Sequence, residues 1–193
     1  FDPSWYHAED MEVSLRLIQA GGTIVYARDA LVKHVPETGA RHFLAKRRRD
    51  ARAHVRIVRH HPKRRRSGPG FDFLGSSKLV LCMLPLWTAM LMASLPFLSG
   101  LVLGETSLDA RIFERWEGRL LGVSLLLLCL TELLLWRGRF GVVNREIMRS
   151  TTGSKAVAVL GVRRLTLRWS LALWHGLLLG LLDALLGRNG HRR

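Results

Sequence analysis

Residues 79–103, LVLCMLPLWTAMLMASLPFLSGLVL, contain no charged side chain. The run exceeds the roughly 20 apolar residues that an α-helix needs to cross a hydrocarbon core about 30 Å thick. A membrane-crossing helix is therefore expected over 78–104. Pro85 and Pro96 fall inside it. Each proline removes an N–H and frees a carbonyl one turn back, which an apolar setting tolerates only where a neighbouring helix or a hydroxyl supplies the missing bond. The run predicts a kinked helix that needs a partner.

Two further runs extend the pattern. Residues 119–136 include LLGVSLLLLCLTELLLW, with Glu132 near one end, and 169–187 read WSLALWHGLLLGLLDALLG. His175 and Asp183 make insertion of the last run costly, so two to three transmembrane helices are expected. Lysine and arginine crowd residues 41–66 and recur in 137–168, whereas the 105–118 loop, ETSLDARIFERWEG, is mainly acidic. The positive-inside rule then places 1–77 and 137–168 in the cytoplasm and 105–118 outside. This describes a multi-pass protein of the plasma membrane. A third crossing leaves the tail RNGHRR outside, against the same rule, so a membrane-embedded hairpin or an interfacial helix stays open for 169–187.

A net charge of +15 implies an anionic partner. Polybasic segments beside a membrane gain about 1 kcal/mol per residue from anionic phospholipid. Nucleic acid is disfavoured, because residues 44–66 lack any Phe, Tyr or Trp on which a single strand stacks. Cys82 and Cys129 lie in apolar runs and read as small buried thiols. The chain opens at Phe1 directly on its first motif, and reads as the C-terminal part of a longer protein.

The part before the apolar runs begins with FDPSWYHAEDMEVSLRLIQAGGTIVYARDALVKH, residues 1–34. Met11, Leu15 and Ile18 recur at helical spacing, and Gly21 or Gly22 supplies the stop. That puts Glu9 and Asp10 in the first helical turn, where a helix dipole stabilises carboxylates by about 0.3–1 kcal/mol. TIVYA and ALVKHV read as two short strands about the turn RDA. Residues 38–61 read as an arginine-rich helix, and 63–77, basic and rich in Gly, Pro and Ser, as a connection.

This opening resembles the C-terminal half of the catalytic domain of family 2 glycosyltransferases, membrane enzymes with a GT-A fold. The resemblance rests on Phe1 and Asp2, then Glu9 and Asp10, Arg16, Gly21 or Gly22, the strand around Val25 and Tyr26, and His34 before VPET. It covers about residues 1–60. It implies an α/β fragment over 1–62, followed by the helical membrane region. By the same resemblance Asp10 is the base of an inverting transfer, with Glu9 orienting the acceptor or tuning Asp10. Arg16 and Arg49 stand at substrate-binding positions, and His34 where some members supply a ligand to a divalent ion, Mn²⁺ or Mg²⁺. The implied partners are a nucleotide-sugar donor and a lipid-linked or membrane acceptor.

Departures narrow the resemblance. Processive members carry Gln-x-x-Arg-Trp after Pro-Glu-Thr, whereas here Lys46 lies near the glutamine position, Arg49 near the arginine, and Asp50 where tryptophan would be. A processive polysaccharide synthase is disfavoured. In that family the Asp-x-Asp that binds nucleotide and metal lies upstream of the position of Phe1, so the fragment is not expected to act alone. Two rival readings compete with this one. One is a non-enzymatic polybasic membrane protein that binds anionic lipid, nucleic acid or a protein partner. The other is a transporter-like bundle with Glu132, His175 and Asp183 as a relay, although such groups near span ends are more often interhelical contacts.

Overall fold

A computed structural model describes residues 2–5, 7–33, 38–62, 78–103 and 116–188. Among them six helices follow in order: α1 (Glu9–Gln19), α2 (Gly39–His60), α3 (Lys78–Leu103), α4 (Trp116–Leu135), α5 (Gly138–Ser150) and α6 (Lys155–Leu185). No strand occurs among the described residues. Residues 1–76 with 171–193 form one compact unit, and residues 77–170 a second.

The absence of strands corrects the expected α/β fold. Residues 22–27 and 30–33 are irregular, with Val25, Tyr26, Leu31 and Val32 almost fully exposed. Local bonds shape the turn instead, Ala30 N–H donating to Ala27 O at 3.3 Å and Leu31 N–H to Asp29 O at 3.1 Å. The physical reason is that β propensity is realised through ladder bonds and cross-strand packing. Two short runs make at best a hairpin, which is marginal alone, and no third strand is present among the described residues to complete a sheet.

In the first unit the helical expectations hold. α1 starts at Glu9, with both acids in its first turn. It ends at Gly21, whose φ of +84° is the left-handed conformation that glycine adopts without strain. Gly22 N–H reaches Leu17 O at 2.9 Å and Gly21 N–H reaches Ile18 O at 3.1 Å, the paired bonds of a Schellman stop. Leu15 of α1 packs with Ala53 and Ile57 of α2, and with Trp5 and Ala8 from the preceding turn. These are the apolar positions that the arginines of α2 leave free.

The last part of α6 belongs to the same unit and lies against α2. A Cβ on Gly176 would fall on the Arg48 carbonyl oxygen, and one on Gly180 would come within 2.8 Å of the Val55 Cβ. Small residues one turn apart let two backbones approach closely, as in small-xxx-small seams. Arg52 closes the seam with a two-pronged pair to Asp183, Nε to Oδ2 at 2.6 Å and Nη2 to Oδ1 at 2.9 Å. A second Schellman stop follows at Gly187, φ +65°, with Arg188 N–H on Asp183 O at 2.8 Å.

The second unit holds α3, α4, α5 and the first part of α6. Among the described residues three helices, α3, α4 and α6, are long and apolar enough to cross a membrane. α5 and the start of α6 at Lys155 occupy residues 137–168, read from the sequence as a basic loop. Leucines 125, 126, 130 and 133 of α4 are about half exposed or more. Cys82 and Cys129 are free and exposed, not the buried thiols expected, because the apolar runs that carry them turn much of their surface outward.

Pro85 lies within α3, and the bond it forfeits is made by another helix. Ser170 of α6, fully buried, donates its hydroxyl to Leu81 O at 3.2 Å and accepts from Leu84 N–H at 3.0 Å. Leu81 O is the carbonyl one turn before Pro85, so the hydroxyl answers the need inferred from the proline. Where α4 ends, Asn144 Nδ2 donates to Leu135 O at 2.9 Å and an Arg145 Nη1 to Trp136 O at 3.3 Å. Side chains of α5 thereby satisfy carbonyls that the helix end leaves open.

Ser170→Ala is expected to destabilise the detergent-solubilised protein by about 1 kcal/mol, since the Leu81 carbonyl and the Leu84 N–H both lose the Ser170 hydroxyl. Pro85→Ala in the same background restores an N–H for Leu81 O and should recover part of the loss. Thermal unfolding of both variants checks this, and equal melting of single and double variants would contradict it.

Candidate functional site

The site is the turn that leads into α1. Ser4 N–H donates to Asp2 Oδ1 at 2.8 Å, and Trp5 N–H to Asp2 O at 3.0 Å. The Ser4 amide holds the Asp2 carboxyl below the usual carboxylate range. Trp5 is buried, with Arg56 of α2 stacked 3.9 Å from its ring centroid and His60 edge-on at 5.6 Å. The Arg56 fork also donates to the Ser4 carbonyl at 2.7 Å and to the Ser4 hydroxyl at 3.1 Å. Burial lowers the Arg56 pKa. His60 is lowered first by burial, then by the cationic Arg56 and Arg59 beside it.

His7 and Ala8 finish the turn. His7 Nε2 lies 2.6 Å from Asp50 Oδ1, and Arg47 approaches the other oxygen of Asp50 at 3.3 Å. Ala8 is left-handed, φ 61°, with no side-chain cap on α1. For a residue with a Cβ this conformation costs roughly 1–2 kcal/mol. It is the one left-handed non-glycine among the described residues, and it directly precedes the carboxylate pair.

Glu9 is half-buried and Asp10 exposed. Asp10 Oδ1 accepts from Met11 N–H at 2.7 Å, and its carbonyl accepts the Ser14 hydroxyl at 2.7 Å. Arg16 does not reach the pair; it binds Glu12 through Nε at 2.7 Å. Arg49 is half-buried on α2, its Nε buried without a partner. His34 lies outside the described residues. Among the described residues no group of three or more His, Cys, Asp or Glu side chains is placed to hold a metal ion.

Sequence reasoning gave no site role to His7, Glu12 or Asp50, which help to build this region. Glu12 is buried and lies between Arg16 and His61, the latter at 3.8 Å. Its spacing from Arg16 is the ordinary helical i,i+4 pair and was readable. The His7–Asp50 contact spans 43 positions and carries no local signal. Of the groups named for the rival relay, Glu132 is paired with Arg163 at 2.6 Å, Asp183 with Arg52, and His175 is exposed.

Comparison with protein-family models, with curated proteins and with solved structures found no match to this chain. The geometry of the turn therefore carries the functional argument.

Asp50→Asn is expected to loosen the turn without unfolding α2. Backbone amides of residues 8–12 should exchange about tenfold faster, equivalent to losing one charge-assisted bond of about 1.5 kcal/mol. Hydrogen exchange read by mass spectrometry decides it; unchanged protection would mean that His7 does not position the helix start.

Proposed function

We propose that the chain is part of a membrane-bound inverting glycosyltransferase in which Asp10 is the general base. The observation that carries this reading is the presentation of Asp10. It is an exposed carboxylate in the first turn of α1, following a strained residue and a turn tied to α2 by His7, Trp5 and Ser4. Rigid placement of a base is what general-base catalysis requires. A carboxylate that merely favours the helix dipole needs no such anchoring.

In the proposed step the acceptor hydroxyl meets the free oxygen of Asp10, since Oδ1 is held by Met11 N–H. The hydroxyl proton passes to Asp10 as the oxygen bonds to the anomeric carbon. The bond from that carbon to the donor diphosphate breaks on the opposite face, and the nucleoside diphosphate leaves with the electron pair. Glu9, half-buried beside the base, orients the acceptor. Arg16, occupied by Glu12, contributes indirectly by fixing α1. The divalent ion implied by the resemblance has no ligand set among the described residues, and no step is assigned to it.

The acceptor is proposed to be membrane-borne, supported by α3 and α4, each long and apolar enough to cross a bilayer. The cytoplasmic side is proposed for residues 1–77 and for 137–168, on the arginine asymmetry of the sequence.

In the full-length protein Asp10→Asn should keep expression and membrane insertion but lower sugar transfer by roughly 10² to 10⁴. Glu9→Gln should cost less. Transfer from radiolabelled donor to a membrane acceptor fraction is the measurement, and a near wild-type rate for Asp10→Asn would remove the proposal. Topology is tested separately: cysteines placed in 105–118 should react with an impermeant reagent from outside, and cysteines in 41–66 should not.

A further inference from the structure

α2 and the end of α6 enclose a shallow basic cleft within the first unit. Arg52, Arg56, Arg59, Asp183 and Arg188 line it, with Gly180 and Ala184 as its floor. Four arginines thus share the lining with one acidic residue. Two of the four are already engaged, Arg52 by Asp183 and Arg56 by Ser4 and Trp5. The guanidiniums of Arg59 and Arg188 are exposed and have no carboxylate partner among the described residues.

The chemistry of the lining selects the ligand. The enclosed interior is small, about 20 Å³, so a ligand lays its charged oxygens against the arginines at the open mouth. Guanidinium forks match phosphate oxygens in geometry and charge. The neighbouring surface selects the source of that phosphate. Leu181, Leu182, Leu185 and Leu186, on the α6 end that carries Asp183 and Arg188, are all about half exposed or more. A cationic notch rimmed by bare leucines meets an anionic headgroup and the start of its acyl chains together.

We propose that this cleft is a phosphate-oxyanion site that seats the headgroup of an anionic phospholipid, with Arg59 and Arg188 as its free ligands. Arg52 and Arg56 supply positive potential and hold the walls. The site rests on the membrane reading of the chain and not on glycosyl transfer. Failure of the Asp10 test leaves it standing, and its own failure leaves Asp10 untouched.

The test is native mass spectrometry of the full chain in detergent, equilibrated with equal amounts of phosphatidylglycerol and phosphatidylcholine. The wild type should retain phosphatidylglycerol preferentially, and Arg59→Gln with Arg188→Gln should reduce that adduct by about tenfold, the loss of one or more charge-assisted contacts. Neither arginine makes a fold-bearing pair, so the double variant should fold. Arg28→Gln with Lys33→Gln removes the same charge from the exposed loop and should leave the adduct in place. Displacement of the lipid by excess inorganic phosphate would support the oxyanion site and assign it to soluble phosphate; persistence assigns it to the headgroup. No lipid preference in the wild type, or equal loss in both double variants, would overturn the proposal.

Discussion

A proline inside an apolar helix frees a carbonyl that a bilayer cannot hydrate, and the arrangement of the second unit turns on how that carbonyl is answered. Ser170 brings one hydroxyl to Leu81 O and Leu84 N–H, so a single buried side chain answers the carbonyl freed by Pro85 and ties the adjacent turn to α6. The repair fixes the rotation and height of α6 against α3, because a hydroxyl works only within hydrogen-bond reach. The same demand shapes the corner after α4, where Asn144 and Arg145 serve the Leu135 and Trp136 carbonyls. Gly141 permits that corner, since a Cβ there would fall on the Trp136 carbonyl.

Charge on long apolar helices follows a parallel logic. An acid in such a setting is costly unless paired, and each of the two acids that the structure describes in this setting has an arginine. Glu132 of α4 meets Arg163, which also lies 5.5 Å from the Trp136 ring centroid. Asp183 of α6 meets Arg52 of α2 in a two-pronged pair. Pairing of this kind gives specificity of register more than stability. It also explains how an arginine-rich helix can cover an apolar one: Gly176 and Gly180 admit the backbone of α2, and its long side chains reach outward past the seam.

Much of the helical organisation was legible because periodicity and length carry it. The extents of α1 and α2, the Gly21 stop, the apolar runs and the need for a hydroxyl near a proline were all readable from residue types. The strands were misread because TIVYA and ALVKHV have strand composition but no partner among the described residues, and composition cannot report a partner. Which hydroxyl answers Pro85 was equally hidden, since Ser170 is distant in sequence and sits in an unremarkable run. At the site, Glu9 and Asp10 were found by their place in the first turn. His7 and Asp50 were not, because neither obeys a spacing rule and only the approach of α2 brings them together.

That long-range dependence determines how the carboxylate pair is placed. A left-handed alanine costs roughly 1–2 kcal/mol, and glycine would remove the strain. Glycine would also remove the Ala8 methyl from the cluster of Trp5, Leu15, Ala53 and Ile57, forfeiting on the order of 0.8 kcal/mol of burial. The two effects nearly offset, so local preference leaves the turn undecided. What decides it comes from α2: the Asp50 carboxylate on His7, the Arg56 guanidinium on the Trp5 ring, and the same guanidinium on Ser4. The direction in which Asp10 leaves the helix start is therefore set by residues forty or more positions away, and a change in α2 can move the base without touching it.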